Sequence, residues 1–243
     1  MDFGKAFTYV FEDPDWLRKL GIGTLLMLVG ILFSWLIIGL IPLIIVTGYT
    51  LVVMRNVSNG DARPLPEWED WGGLFVLGLK LFVALFIWLL PAFIIMVPIM
   101  IGSVLAGGSG GDSSAGAATA FASMLTICGS CLMILWSLIV ALFEPAIYVR
   151  IAHTERISSA FEFARLWSFT RRNLGDIIIA ILLVWLAGII ASIVGMLGFV
   201  ALLVGALITI PGAMVWQYLV QSHLFGQIAA RDRASSLAEV EEL

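Results

Sequence analysis

Apolar residues in this chain gather into long uncharged runs, from Leu20 to Met54, Leu81 to Gly111, Ser113 to Phe143 and Ile177 to Ser222. A membrane-crossing helix needs ~20 mostly apolar residues, so every run exceeds the need of one helix and some must fold back. Basic residues punctuate the runs. Arg18 and Lys19 precede the first, Arg55 and Arg63 follow it, Arg150, Arg156, Arg165, Arg171 and Arg172 separate the third from the fourth, and Arg231 and Arg233 follow the fourth. The polar loop Ala106 to Ala118 has no basic residue. The positive-inside bias therefore puts that loop outside and the basic segments and both termini on the cytoplasmic side.

Residues 20–56 can begin and end on one side only as a hairpin, turning at Gly39–Pro42, where proline ends one helix and opens the next. Its legs are short enough to be barely spanning or re-entrant. A second hairpin over 73–149 pairs helices at about 73–105 and 119–149, and a third over 175–229 pairs 176–197 with 203–228, turning near Gly198–Gly205. The expected fold class is an all-α integral membrane protein, one membrane domain of about six spanning segments in three hairpins. A cytoplasmic loop, 57–72, and a cytoplasmic tail, 230–243, complete it.

An amphipathic stretch precedes each hairpin. Over 1–12, Phe3, Phe7, Val10 and Phe11 share a helical face, and Asp13–Pro14 reads as the N-cap and first residue of the next helix. Trp68 and Trp71 alternate with Glu67, Glu69 and Asp70, which places indoles at headgroup depth. Over 150–174, Ser159 and Glu162 have capping-box spacing, and Phe163, Leu166, Trp167 and Thr170 line one face. The hairpin exits echo one another, since Pro42–Tyr49 and Pro211–Tyr218 share one spacing and Pro145 precedes Tyr148. Three degenerate repeats, or the ordinary preference of Pro and Tyr for turns and interfaces, account for this equally.

Composition agrees: of 243 residues 61% are hydrophobic and 12% charged, more apolar surface than a soluble domain of this length could bury, and mean hydropathy is +1.06. The first residues lack the basic, apolar and small-residue order of a cleavable signal peptide. A net charge of −4 argues against a nucleic-acid partner.

Candidate chemistry is sparse. Cys128 and Cys131 have redox-pair spacing but lie mid-span, where small apolar packing is the expected role, and the remaining ligands of a zinc site, His153 and His223, are both expected at the cytoplasmic edge, far from those sulfurs. Hydrolase, zinc-protease and phosphate-loop motifs do not occur, and Glu67, Glu69 and Asp70 read as a solvated loop before a cation site. No cofactor or metal is expected. Arg165, Arg171 and Arg172 form a basic cluster suited to anionic lipid headgroups. Ala187, Ala191 and Gly195 make a small-residue ridge for close helix packing, within the chain or between copies.

Lys80 and Glu144 are the charges inside spans. Each lies ~10 Å from the cytoplasmic end of its helix at ~1.5 Å per residue. A charge in a bilayer helix costs about 2.5–3.5 kcal/mol, so the two are expected to pair across the second hairpin.

The stretches EDPDWLRKLGIG, GYTLVVMRNV and PLPEWEDWGGLFVLGLK resemble the prokaryotic membrane family catalogued as domain of unknown function 4013. The resemblance is strongest over 1–82 and compositional beyond. It implies a multi-spanning protein of a prokaryotic inner membrane and carries over no catalytic residue. The expected function is non-enzymatic: docking a membrane-protein partner, or organising lipid, within a larger assembly, self-association included. A transporter or channel with Lys80 and Glu144 near its pathway is the alternative, and an intramembrane enzyme ranks last.

Overall fold

The computed structural model describes residues 2–108 and 115–241, and every element in them is helical. In chain order these are α1 (Phe3–Glu12), α2 (Trp16–Leu32), a 3-10 turn (Ile37–Gly39), α3 (Leu40–Asn59), α4 (Trp71–Gly108), α5 (Ala115–Thr154), a 3-10 turn (Ile157–Phe161), α6 (Phe163–Arg172), α7 (Leu174–Leu197), a 3-10 turn (Gly198–Ala201) and α8 (Leu202–Glu241). Helices satisfy their backbone polar groups internally, which hydrocarbon demands. Among the described residues, four stretches are long and apolar enough to cross a membrane: Ile37–Asn59, Trp71–Val104, Ala120–Thr154 and Leu174–Val200. Helix α2, at 17 residues, is shorter than these.

The chain forms two compact units, Met1–Val83 with Phe143–Leu243, and Ala84–Leu142. In the first unit α1, α2, α3, the 60–70 segment, the start of α4 and α8 share a core built on Tyr9, Met27, Tyr49, Trp68, Leu74 and Val215. Helix α7 packs along α8. The second unit pairs the later part of α4 with the earlier part of α5, through Trp136 Nε1 donating to the Trp88 carbonyl (3.0 Å) and Gly129 receiving Ile99. Most of its large apolar side chains are exposed. The Gly/Ser turn expected over 106–118 lies in part outside the described residues, at 109–114.

Local chemistry moves several expected boundaries. Helix α2 ends at Leu32, earlier than the turn expected at Gly39–Pro42, and Pro42 falls in the first turn of α3, where its missing N–H costs nothing. Gly39 is required there, because a Cβ on it would stand 2.1 Å from the Phe33 carbonyl oxygen. Helix α2 starts at Trp16, and Asp13 accepts from the Asp15 N–H (2.8 Å) instead of capping the helix at Pro14. Helix α3 closes on Gly60 (φ 82°), with Gly60 N–H on the Val57 carbonyl and Asp61 N–H on that of Asn56, a Schellman ending. Asp70 caps α4, accepting from Gly73 N–H at 2.9 Å. No capping box forms at Ser159, because Glu162 turns to Arg150 and Arg165. Residues 230–241, expected as a tail, continue α8.

The expected faces of the amphipathic helices divide between the core and the outer surface. Helix α1 buries Ala6, Tyr9 and Val10, with Tyr9 donating to the Leu219 carbonyl (3.0 Å), and leaves Phe3 and Phe11 exposed. Helix α6 buries Leu166, Phe169 and Thr170 and exposes Phe163 and Trp167. Trp68 is buried in the core instead of presenting its indole on the surface.

Candidate functional site

The three stretches EDPDWLRKLGIG, GYTLVVMRNV and PLPEWEDWGG meet in one polar knot of the first unit. Lys19, in the first turn of α2, is buried; its Nζ contacts Asp13 Oδ2 (2.9 Å), the Leu65 carbonyl (2.9 Å) and Glu67 Oε1 (3.1 Å). The Trp68 indole N–H donates to the Lys19 carbonyl (3.0 Å), and its ring stacks on Tyr49 with centroids 4.0 Å apart at 9°. The Tyr49 hydroxyl in turn donates to the Pro66 carbonyl (3.0 Å). Burial pushes the Asp13 carboxyl up. Hydrogen bonds from Lys19 and the Asp15 N–H, with the charges of Lys19 and Arg63, outweigh it and hold Asp13 below the usual carboxylate range. Arg18 also pairs with Glu67. Every group here has a partner, so the knot fixes α1, α2, α3 and the 60–70 segment together and offers no free nucleophile. Sequence reasoning missed it, although a lysine at the head of an apolar helix, six residues after an aspartate, was its signal.

Two glycines of these motifs do the next task. A Cβ on Gly48 would stand 1.9 Å from the Leu74 carbonyl oxygen, and one on Gly78 1.9 Å from that of Ile44, so α3 and α4 cross backbone to backbone.

Lys80 and Glu144 do not pair. Helix α5 runs on to Thr154, and Glu155, in the left-handed region at φ 53°, turns its carboxylate to Lys80 (3.7 Å) and Arg55 (3.1 Å). Glu144 instead accepts from Gln221 Nε2 of α8 (2.7 Å), with the Tyr148 hydroxyl as a further partner. The expected ion pair is thus replaced by two separate contacts: equal depth put both residues near one level, but they face different neighbours.

The expected basic cluster divides. Arg165 and Arg172 line a cavity of about 410 Å³ together with Arg150, His153 and Arg233, while Arg171 is exposed and not among its lining residues. Glu162 pairs with both Arg150 and Arg165 (3.0 Å to the latter), and Asp232 takes a two-pronged contact from Arg172 (3.0 and 3.1 Å) and a hydrogen bond from Asn173 (2.8 Å). Arg233 meets only a neutral partner among the described residues, Asn59 Oδ1 at 3.2 Å. Arg150 and Arg233 were read from the sequence as orientation charges, since nothing local ties the end of α5 to α8.

Ala187, Ala191 and Gly195 are buried, with Gly195 against Ile210 of α8, so the ridge is occupied within the chain. Cys128 and Cys131 are free and exposed, not packed as expected: they lie on the outer surface of the second unit's helix. No group of three metal-ligating side chains occurs among the described residues. Glu67 is committed to ion pairs and Asp70 to its cap. His223 takes a hydrogen bond with Gln227 (2.9 Å) and lies against Tyr9.

No curated protein and no solved structure matches the chain. A protein family does match, over residues 31–200, a range that takes in GYTLVVMRNV and PLPEWEDWGGLFVLGLK and extends far past residue 82, though not back to EDPDWLRKLGIG. With most of its length so matched, the chain belongs to the family described as Protein of unknown function (DUF4013).

Proposed function

We propose that this is a non-enzymatic multi-spanning protein of a prokaryotic inner membrane that docks a membrane-embedded partner through its second unit and holds anionic lipid at its basic edge. The carrying observation is the second unit itself. Ile94, Ile101, Ile127 and Leu135 are all exposed, and the hydroxyls of Ser103, Thr126, Ser130 and Ser137 bond back to carbonyls of their own helices. Residues 84–142 hold no charged residue besides Asp112. Among its described residues this hairpin presents apolar surface, and these four hydroxyls turn back into their own helices. Its helices also belong to apolar stretches of 34 and 35 residues where ~20 would cross the hydrocarbon, so part of each needs another apolar surface. A photo-crosslinking residue at each of those four positions, activated in native membranes, is expected to give a discrete protein adduct at those on one face. Adducts with lipid alone at all four would remove partner docking.

In this reading α2–α3, α4–α5 and α7–α8 are three hairpins, six segments, with both termini cytoplasmic and α1 and α6 lying on the surface as amphipathic helices, their exposed Phe3, Phe11, Phe163 and Trp167 at headgroup depth. In a Cys128- and Cys131-free background, a cysteine at Ser113 is expected to react with an impermeant maleimide added outside intact cells, and one at Asp61 or Ser158 is not. Outside labelling of Asp61 would mean that residues 20–56 cross once, and the first hairpin would be lost.

The alternative, a transporter or channel, keeps one observation: Glu144 sits within an apolar helix among amide and phenol partners. A solute flux in vesicles that Glu144→Gln abolishes, with partner adducts intact, would put it first.

A further inference from the structure

We propose that the cavity between the ends of α5, α6 and α8 is a binding site for a phosphomonoester dianion. This deepens the lipid half of the reading above. Four guanidinium groups line the cavity, from Arg150, Arg165, Arg172 and Arg233, and two carboxylates, Glu162 and Asp232, answer them. Counted together, four positive and two negative charges leave an excess of two. A phosphomonoester carries about −1.5 to −2 at neutral pH, which matches that excess, and its oxygens match the planar fork of a guanidinium. The Ser168 hydroxyl, which accepts from Arg172 (3.1 Å), also lines the cavity and can add a donor. Arg233 is the arm best placed to turn inward, because its partner is a neutral amide and exchanging that for phosphate gains a charge-assisted bond. At about 410 Å³ the space is that of a small-ligand pocket and exceeds a bare phosphate, leaving room for the group esterified to it. The exposed Trp167 and Phe163 on α6 set the cavity beside a surface suited to the headgroup layer, from which a lipid phosphomonoester could enter; a soluble phosphate has the same chemistry.

The purified full chain is titrated with inorganic phosphate in detergent, and separately placed in nanodiscs of phosphatidylcholine containing either phosphatidic acid or phosphatidylglycerol, with retained lipid read by native mass spectrometry. Phosphatidic acid retained over phosphatidylglycerol is expected, and Arg165→Gln with Arg233→Gln should weaken it by about tenfold or more, the scale of one lost charge-assisted bond. Arg171→Gln, outside the cavity, should change it little. Phosphate binding without lipid selectivity, lost in the same double variant, assigns the site to a soluble phosphomonoester and sustains it. If the double variant does not fold, Arg233→Lys, which keeps the charge and loses the fork, must weaken binding. Equal retention of both lipids with no phosphate binding, or an equal loss in Arg171→Gln, reduces the cavity to diffuse attraction and overturns the proposal. These outcomes are independent of the adducts on the second unit, so either half of the functional reading can fail alone.

Discussion

Replacing Gly48 or Gly78 with alanine is expected to unfold the first unit under conditions where the parent is stable. The added methyl would lie 1.9 Å from a carbonyl oxygen of the facing helix in either case, and at Gly48 the next atoms met are the Leu74 carbonyl carbon (2.7 Å) and the Gly78 nitrogen (3.1 Å). All are backbone atoms, so no rotamer change relieves the clash and the helices must separate. Overpacking usually costs about 1–3 kcal/mol where side chains can give; here the cost should be ~3 kcal/mol or more. Gly21→Ala is the matched control. Nothing stands within 4 Å of its added methyl, and alanine should gain up to ~1 kcal/mol of helix propensity. Thermal unfolding in detergent separates the cases, and glycine variants that melt with the parent would mean that α3 and α4 do not cross backbone to backbone at Gly48 and Gly78.

Lys19→Met should be the most damaging single loss of charge. It leaves Asp13 buried beside an apolar side chain, at a cost of about 3–5 kcal/mol for breaking one side of a buried pair. Adding Asp13→Asn removes the stranded charge and should recover part of that loss, whereas Arg18→Gln, at the exposed end of the same knot, should cost ~1 kcal/mol or less. The pH dependence has a definite sign. Asp13 is held below its usual value in the folded state, so its contribution is complete above the unfolded value of about 3.9 and is lost as the pH falls through the lower folded one. The parent should therefore lose stability below about pH 4 more steeply than Asp13→Asn. Parallel acid profiles, or no recovery in the double variant, would show that Lys19 and Asp13 are not coupled.

What the sequence determined by itself are the properties that accumulate along a stretch of chain. Helical class, the apolar blocks now seen in α3, α4, α5 and α7, the turn at Gly198 and family membership were legible, because each rests on run length, composition or a short local motif. Contacts between stretches were not legible. Depth along a helix axis can be estimated at ~1.5 Å per residue, and it placed Lys80 and Glu144 at one level. The direction a side chain faces turns by about 100° with each residue, so equal depth does not bring two residues together. The facing chosen by α4, and the left-handed turn at the end of α5, decided that Lys80 would meet Glu155 and Glu144 would meet Gln221. Crossing points decided the rest: Gly48 against the Gly78 helix, Trp68 drawn into the core by Tyr49 and Lys19, and Arg150, Arg165, Arg172 and Arg233 gathered from three helices around one cavity. A residue's polarity is a property of the residue, but its partner is fixed only when helices distant in the chain pack and choose their rotation.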